Sequence, residues 1–170
     1  MTKLWRRILG RRQQPVELDD IKIYITTSDD HLEYLKVTTY LLNKYWPVAR
    51  PVTIVGYARP NFELPANFKF VSMGAQVGGA RRWAADLKKF FSGLQDDYLI
   101  HGLDDYFLYR PVDTEVLETL VKNHLDKSVG WVGLTIGPSM RSHRRVRRYQ
   151  DFEVIELAQD ADYRITAQFN

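Results

Sequence analysis

The sequence predicts an α/β fold, a sandwich built on a mostly parallel central sheet. Three observations predict it. Runs rich in β-branched residues and bounded by breakers alternate with apolar stripes of helical period, at least three times along the chain. That alternation marks strands joined by crossover helices. The chain of 170 residues, 45% hydrophobic and 26% charged, is long enough for one core and ordinary in its globular composition.

Residues 1–17 read as a basic N-terminal tail, ahead of one domain over 18–170. Within the tail Leu4, Trp5, Ile8 and Leu9 fall at helical spacing opposite the arginines. IKIYITT (21–27) is the first strand, running into Ser28-Asp29-Asp30. Asp30 with Glu33 three positions later has the pattern of a capping box and predicts a helix to about Trp46. PVTIVGY (51–57) is the second strand, ARPNFELPAN a loop, and FKFVSM (68–73) a shorter third strand. After GAQVGGARR (74–82), Trp83, Leu87, Phe90, Phe91 and Leu94 make one apolar stripe of a helix. YLIHGL (98–103) is the fourth strand. Asp113 caps the next helix, which buries Val116, Leu117, Leu120, Val121 and Leu125. VGWVGLTIG (129–137) is a further strand. RSHRRVRR (141–148) reads as a charged loop, and FEVIEL and YRITAQF as two last strand-like pieces.

Charge is unevenly spread. The net charge is +3 and the pI about 9.1. Yet residues 1–14 and 141–148 hold five cations each and no acid, leaving 14 cations against 21 acids elsewhere, a balance of −7. An acidic body with two basic patches is a poor match for a nucleic-acid binder. There is no cysteine, so disulfides and thiolate metal sites are excluded. No apolar run reaches the length of a membrane span, and no apolar segment follows the basic N-terminus as a secretory signal requires.

Ligands of parallel α/β sheets bind outside the carboxyl ends of the strands. Two such places carry polar chemistry: Thr26–Asp30 and Asp104-Asp105. Adjacent carboxylates at the end of an apolar strand repel one another and resist desolvation, so something must offset them. One reading is a solvated turn screened by Arg110. The other is a divalent cation, because hard ions take oxygen ligands and commonly use one or two carboxylates plus substrate phosphates. Alternation places His101 on the face opposite Asp104, as a core histidine. No two histidines have zinc-site spacing, and no serine lies in a nucleophile elbow.

The stretch RRWAADLKKFFSGLQDDYLIHGLDDYFLYRPVD resembles a group of bacterial glycosyltransferase-like proteins that carry a helix, an apolar strand, Leu-Asp-Asp-Tyr/Phe-Phe and Pro-Val-Asp. Strand, aspartate pair and aromatics resemble the nucleotide-sugar-binding half of GT-A glycosyltransferases, whose metal motif is Asp-x-Asp or a variant ending in two acids. DYRITAQ is similar to a Tyr-Arg-Ile-Ser-Leu-Gln segment of the same proteins. The likeness is best over 76–113, fair over 21–57 and present again near the C-terminus. It implies a Rossmann-like GT-A sandwich with Mn²⁺ or Mg²⁺ on Asp105, and Asp104 touching the ribose or reaching the metal through water. It further implies that Thr26, Thr27, Ser28 and Asp29 hold nucleobase and ribose, with Gly78, Gly79, Arg81, Arg82 and Trp83 along the nucleotide. Trp83 also begins the apolar stripe, which places it in the core. The motif here is Leu-Asp-Asp and not Asp-x-Asp, so a metal-independent site is a second expectation.

The implied activity is transfer of a sugar from a UDP- or GDP-type nucleotide-diphosphate sugar to a surface-glycan or lipopolysaccharide-type acceptor, glycan or lipid-linked. An inverting enzyme needs a carboxylate base for the acceptor hydroxyl. Asp151, Glu153, Asp160 and Asp162 read as solvated charges, so no base is assigned. The similar proteins continue past the position of Asn170, which makes a non-catalytic nucleotide-sugar-binding domain the alternative. A nucleic-acid-binding module using the arginine clusters is the second alternative. Its aromatics would have to interleave with the basic residues, and here they lie on buried stripes. Arg144 and Arg145 are candidate diphosphate contacts, because guanidinium groups bind phosphate bidentately. The short tail LWRRILGRR reads first as a disordered segment, with a membrane surface as its alternative, and the expected location is the cytoplasm, the inner face of the membrane following only from that alternative.

Overall fold

The structure, a computed structural model, describes residues 16–78, 80–124, 143–148 and 153–157. Residues 1–15 of the basic tail, Gly79, the strand expected over 129–137 and YRITAQF lie outside the described residues. Four strands form one sheet: β1 (Lys22–Thr26), β2 (Val52–Gly56), β3 (Phe68–Ser72) and β4 (Leu99–Leu103). Their order is β3-β2-β1-β4 and every pairing is parallel. The molecule is thus α/β as expected, with a sheet compatible with a Rossmann-like fold.

Three helices cover the sheet: α1 (Tyr34–Tyr45), α2 (Ala80–Ser92) and α3 (Thr114–His124). Ile23, Ile25, Val52 and Ile54 face one way and share a core with Leu35 and Leu42 of α1 and Leu117 and Val121 of α3. Tyr24, between the two isoleucines, faces the other way and meets Phe90 and Phe91 of α2 edge-on, at 6.2 and 5.9 Å. Parallel crossovers are right-handed, so the β1-to-β2 and β3-to-β4 connections, which run in opposite directions along the sheet, put α1 and α2 on opposite faces. β2 is buried along its whole length, which is why VTIVG shows no polar alternation. The capping of α3 is as expected, with the Val116 N–H donating to Asp113 Oδ1 at 3.1 Å.

Arg50 is buried between α1 and β2. Its Nη2 donates to the carbonyls of Leu18, Asp19 and Ile21 at 2.8, 3.0 and 2.8 Å, and its guanidinium lies over the Trp46 ring.

Two expectations are corrected. The capping box Asp30–Glu33 does not form: Asp29–His31 is a 3-10 turn, and α1 starts after Glu33 without a side-chain cap. The Glu33 carboxylate is drawn to Lys36 Nζ instead, at 2.5 Å. The arginine-rich stretch is not a loop. His143–Arg148 is a strand, β5, paired antiparallel with β6 (Glu153–Leu157) in a separate two-stranded sheet. The register sets Arg144 across from Glu156 and Arg148 across from Glu153. No helix among the described residues is long and apolar enough to cross a membrane.

Candidate functional site

The chain enters the sheet at β1, moves outward through β2 and β3, then crosses back to the other side of β1 to form β4. The direction therefore reverses between β1 and β4, and the carboxyl ends of these strands bound the crevice where α/β sheets receive ligands. The β1 exit carries Thr26, Thr27, Ser28 and Asp29, and the β4 exit carries Asp104 and Asp105.

Backbone pairing continues one residue beyond the strands, with the Asp104 N–H donating to Thr26 O at 3.1 Å. Asp104 is consequently only 3% exposed. Its Oδ2 accepts from Thr27 Oγ1 at 2.5 Å, and its Oδ1 lies 3.5 Å from His31 Nδ1. Its carbonyl accepts the hydroxyl of Thr38, on α1. Burial pushes the Asp104 carboxyl above its ordinary range, and the charge of Asp105 adds to this. The Thr27 hydroxyl and His31 work the other way. The adjacent carboxylates are thus divided by environment: Asp104 is packed inside, while Asp105 is exposed.

Thr26 points to the α2 face, where its hydroxyl bonds His101 Nε2 at 2.9 Å. His101 packs against Phe91, on the face opposite Asp104 as alternation requires, and burial pushes its pKa down to about 4. Thr27 takes the α1 face. A Cβ at Gly56, where β2 ends, would lie 2.7 Å from Thr27 Cγ2, so the glycine makes room for the threonine that holds Asp104. Asp29 Oδ1 accepts the Ala58 N–H at 2.8 Å and ties the β1 exit to the β2 exit. At the latter, the Tyr57 hydroxyl donates to Asp86 Oδ2 of α2 at 3.0 Å, and burial with this bond pushes its pKa up to about 12.

The structure therefore brings together Thr27, Asp104 and Asp105, with Thr26, Ser28 and Asp29 on the neighbouring strand end. Arg82 is exposed in the first turn of α2, beside Gly78, whose φ of 87° suits glycine. A Cβ at Gly78 would come 2.9 Å from Arg82 Cδ. The indole N–H of Trp83 is buried with no hydrogen-bond partner among the described residues. Arg144 and Arg145 lie on β5, in the second sheet. Arg110 lies over the Tyr109 ring, 5.5 Å from its centre.

Sequence reasoning missed His31 and Thr38. His31 carries no local signal, because its link to Asp104 joins residues far apart in the chain. Thr38 does carry one. Leu35, Thr38, Thr39 and Leu42 fall at i, i+3, i+4 and i+7, all buried, so two hydroxyls stand on the core face of α1 and need partners there.

Among the described residues no three His, Asp or Glu side chains gather as a protein-only metal cluster. The donor set fits a cation shared with a ligand better than a caged one: Asp105 offers an open carboxylate, while both Asp104 oxygens have protein partners. Compared with protein-family models, curated proteins and solved structures, the chain matches none of them.

Proposed function

We propose that the domain binds a nucleotide-diphosphate sugar of UDP or GDP type across the β1 and β4 exits and serves glycosyl transfer, in a GT-A arrangement, to a glycan or lipid-linked acceptor. The observation that carries this reading is the reversal of strand order between β1 and β4, with hydroxyls and Asp29 on one strand end and the aspartate pair on the other. Asp105, together with the ligand's phosphates, would hold Mn²⁺ or Mg²⁺, and the ion would neutralise charge on the departing diphosphate. Asp104 fits a positioning role, fixing the β4 exit against Thr27 and Thr38. Ser28 and Asp29 suit the ribose hydroxyls, one oxygen of Asp29 being committed to Ala58. Arg82, near Tyr57 at the β2 exit, would take phosphate or base edges; Arg144 and Arg145 remain proposed diphosphate contacts through β5.

Calorimetric titration of UDP and GDP, with and without Mn²⁺, into wild type and Asp105→Ala tests the reading. Metal-dependent heat in the wild type that disappears in the variant is the expected outcome. Folded wild-type protein that binds neither nucleotide under either condition would overturn it. Hydrolysis or transfer of a matching nucleotide sugar then separates a transferase from a domain that only binds.

A further inference from the structure

The segment that follows the aspartates is held at several points. The Asp104 carbonyl is bonded by Thr38, the Tyr106 N–H donates to Leu103 O at 3.3 Å, and the Val112 N–H to Tyr45 O at 2.8 Å. Leu108 and Val112 turn inward against the core. Between these anchors Tyr106, Phe107 and Tyr109 turn outward, Tyr109 being 78% exposed. Phe107 meets the exposed ring of Tyr34 edge-to-face, with centroids 6.2 Å apart and planes at 81°. Tyr34 in turn lies 5.0 Å from His31, the neighbour of Asp104. Outward aromatics on an anchored loop add little to folding, and an exposed apolar patch beside a ligand crevice marks a recognition surface.

We propose that Tyr34, Tyr106, Phe107 and Tyr109, rimmed by Asp105 and Arg110, form a platform for the ring of a neutral sugar. The proposal rests on the reading above only for the role of that sugar as the acceptor. The chemistry selects the ligand class in three ways. Between residues 105 and 110 one acid and one base cancel, which disfavours a polyanion or an anionic lipid surface. The Tyr34–Phe107 pair is a corner, and Arg110 covers Tyr109, so the patch offers single ring faces, not the parallel slot that grips a planar base. A sugar ring matches this arrangement, laying C–H groups on an aromatic face while its hydroxyls reach the carboxylate, phenol and guanidinium groups at the rim.

Saturation-transfer difference NMR on the full chain tests it, using methyl glycosides of glucose, galactose, mannose and N-acetylglucosamine, with uridine and guanosine as planar controls. Transfer to the ring protons of at least one glycoside is expected, falling roughly 3- to 10-fold in Phe107→Ala and Tyr109→Ala. Thermal melting of both variants should match wild type, since the side chains are exposed. Mn²⁺-dependent UDP or GDP binding should be unchanged in them. Glycoside binding without any nucleotide binding would sink the donor reading and leave the platform standing. The platform itself is overturned by any of three results: no transfer to any glycoside, transfer that ignores both substitutions, or transfer to the nucleosides that both abolish. Concentration-dependent self-association lost in Tyr109→Ala would also overturn it, by assigning the patch to a second copy of the chain.

Discussion

Asp104 is a carboxylate placed where water reaches it poorly, with a hydroxyl and an imidazole as its partners. Burial holds its carboxyl above the usual range, so the native state binds this proton more tightly than the unfolded chain does. Stability therefore falls as pH rises through that raised value. Asp104→Asn keeps an oxygen for Thr27 but carries no charge. It should melt above wild type at pH 7.5, the gap closing towards pH 4. A lower melting temperature at pH 7.5 would show that the pairing with His31 outweighs burial. His101 contributes with the opposite sign. Its native pKa of about 4 lies below the unfolded value of 6.5, so the unfolded chain takes up the extra proton between the two. Stability should rise with pH across that window and level off above it, by at most on the order of 3 kcal/mol. Urea midpoints at pH 7.5 and 4.5 should converge in His101→Gln, once the Asp104 contribution is subtracted with the Asp104→Asn background.

At the scale of elements, α3 depends on its cap. Asp113→Ala removes the acceptor for the Val116 N–H and should cost about 1 kcal/mol, with Asp113→Ser restoring most of it in denaturant titrations. This cap was legible because capping is local: acid, then an apolar stripe. The four parallel strands and α2 were legible for the same reason, each announcing its period within its own residues. The start of α1 was not. Asp30 and Glu33 had the right spacing for a helix end, but Asp29–His31 closes into a 3-10 turn and Lys36 claims the Glu33 carboxylate, and neither competitor shows in a short window. β5 was missed because five arginines in eight residues look self-repelling until Glu153 and Glu156 are set across from two of them. The site divides in the same manner. Asp104, Asp105 and the threonines stand at strand ends that periodicity locates, whereas His31 and Thr38 join them only after α1 has folded onto β1 and β4.

For the whole molecule, alternation of strands and helices implied a parallel sheet but left the strand order open, since each crossover can proceed in either direction. The observed order puts the reversal at β1 and β4, and so sets their two exits side by side. A ligand there bridges strands far apart in sequence and should stabilise the chain globally. Mn²⁺ with UDP or GDP at 100 times its dissociation constant should add about 2.7 kcal/mol to unfolding in wild type and nothing in Asp105→Ala. Arg50 bears on how the molecule is assembled in time. One guanidinium, placed after α1, grips the chain about 30 residues earlier, just before β1. It closes the β1–α1–β2 unit upon itself while the aspartates of β4 are still far along the chain, so that unit is the natural place for folding to nucleate. In stopped-flow kinetics Arg50→Met should slow refolding more than it speeds unfolding. If the unfolding rate takes the whole effect, the grip tightens only after the rate-limiting step, and the sheet begins elsewhere.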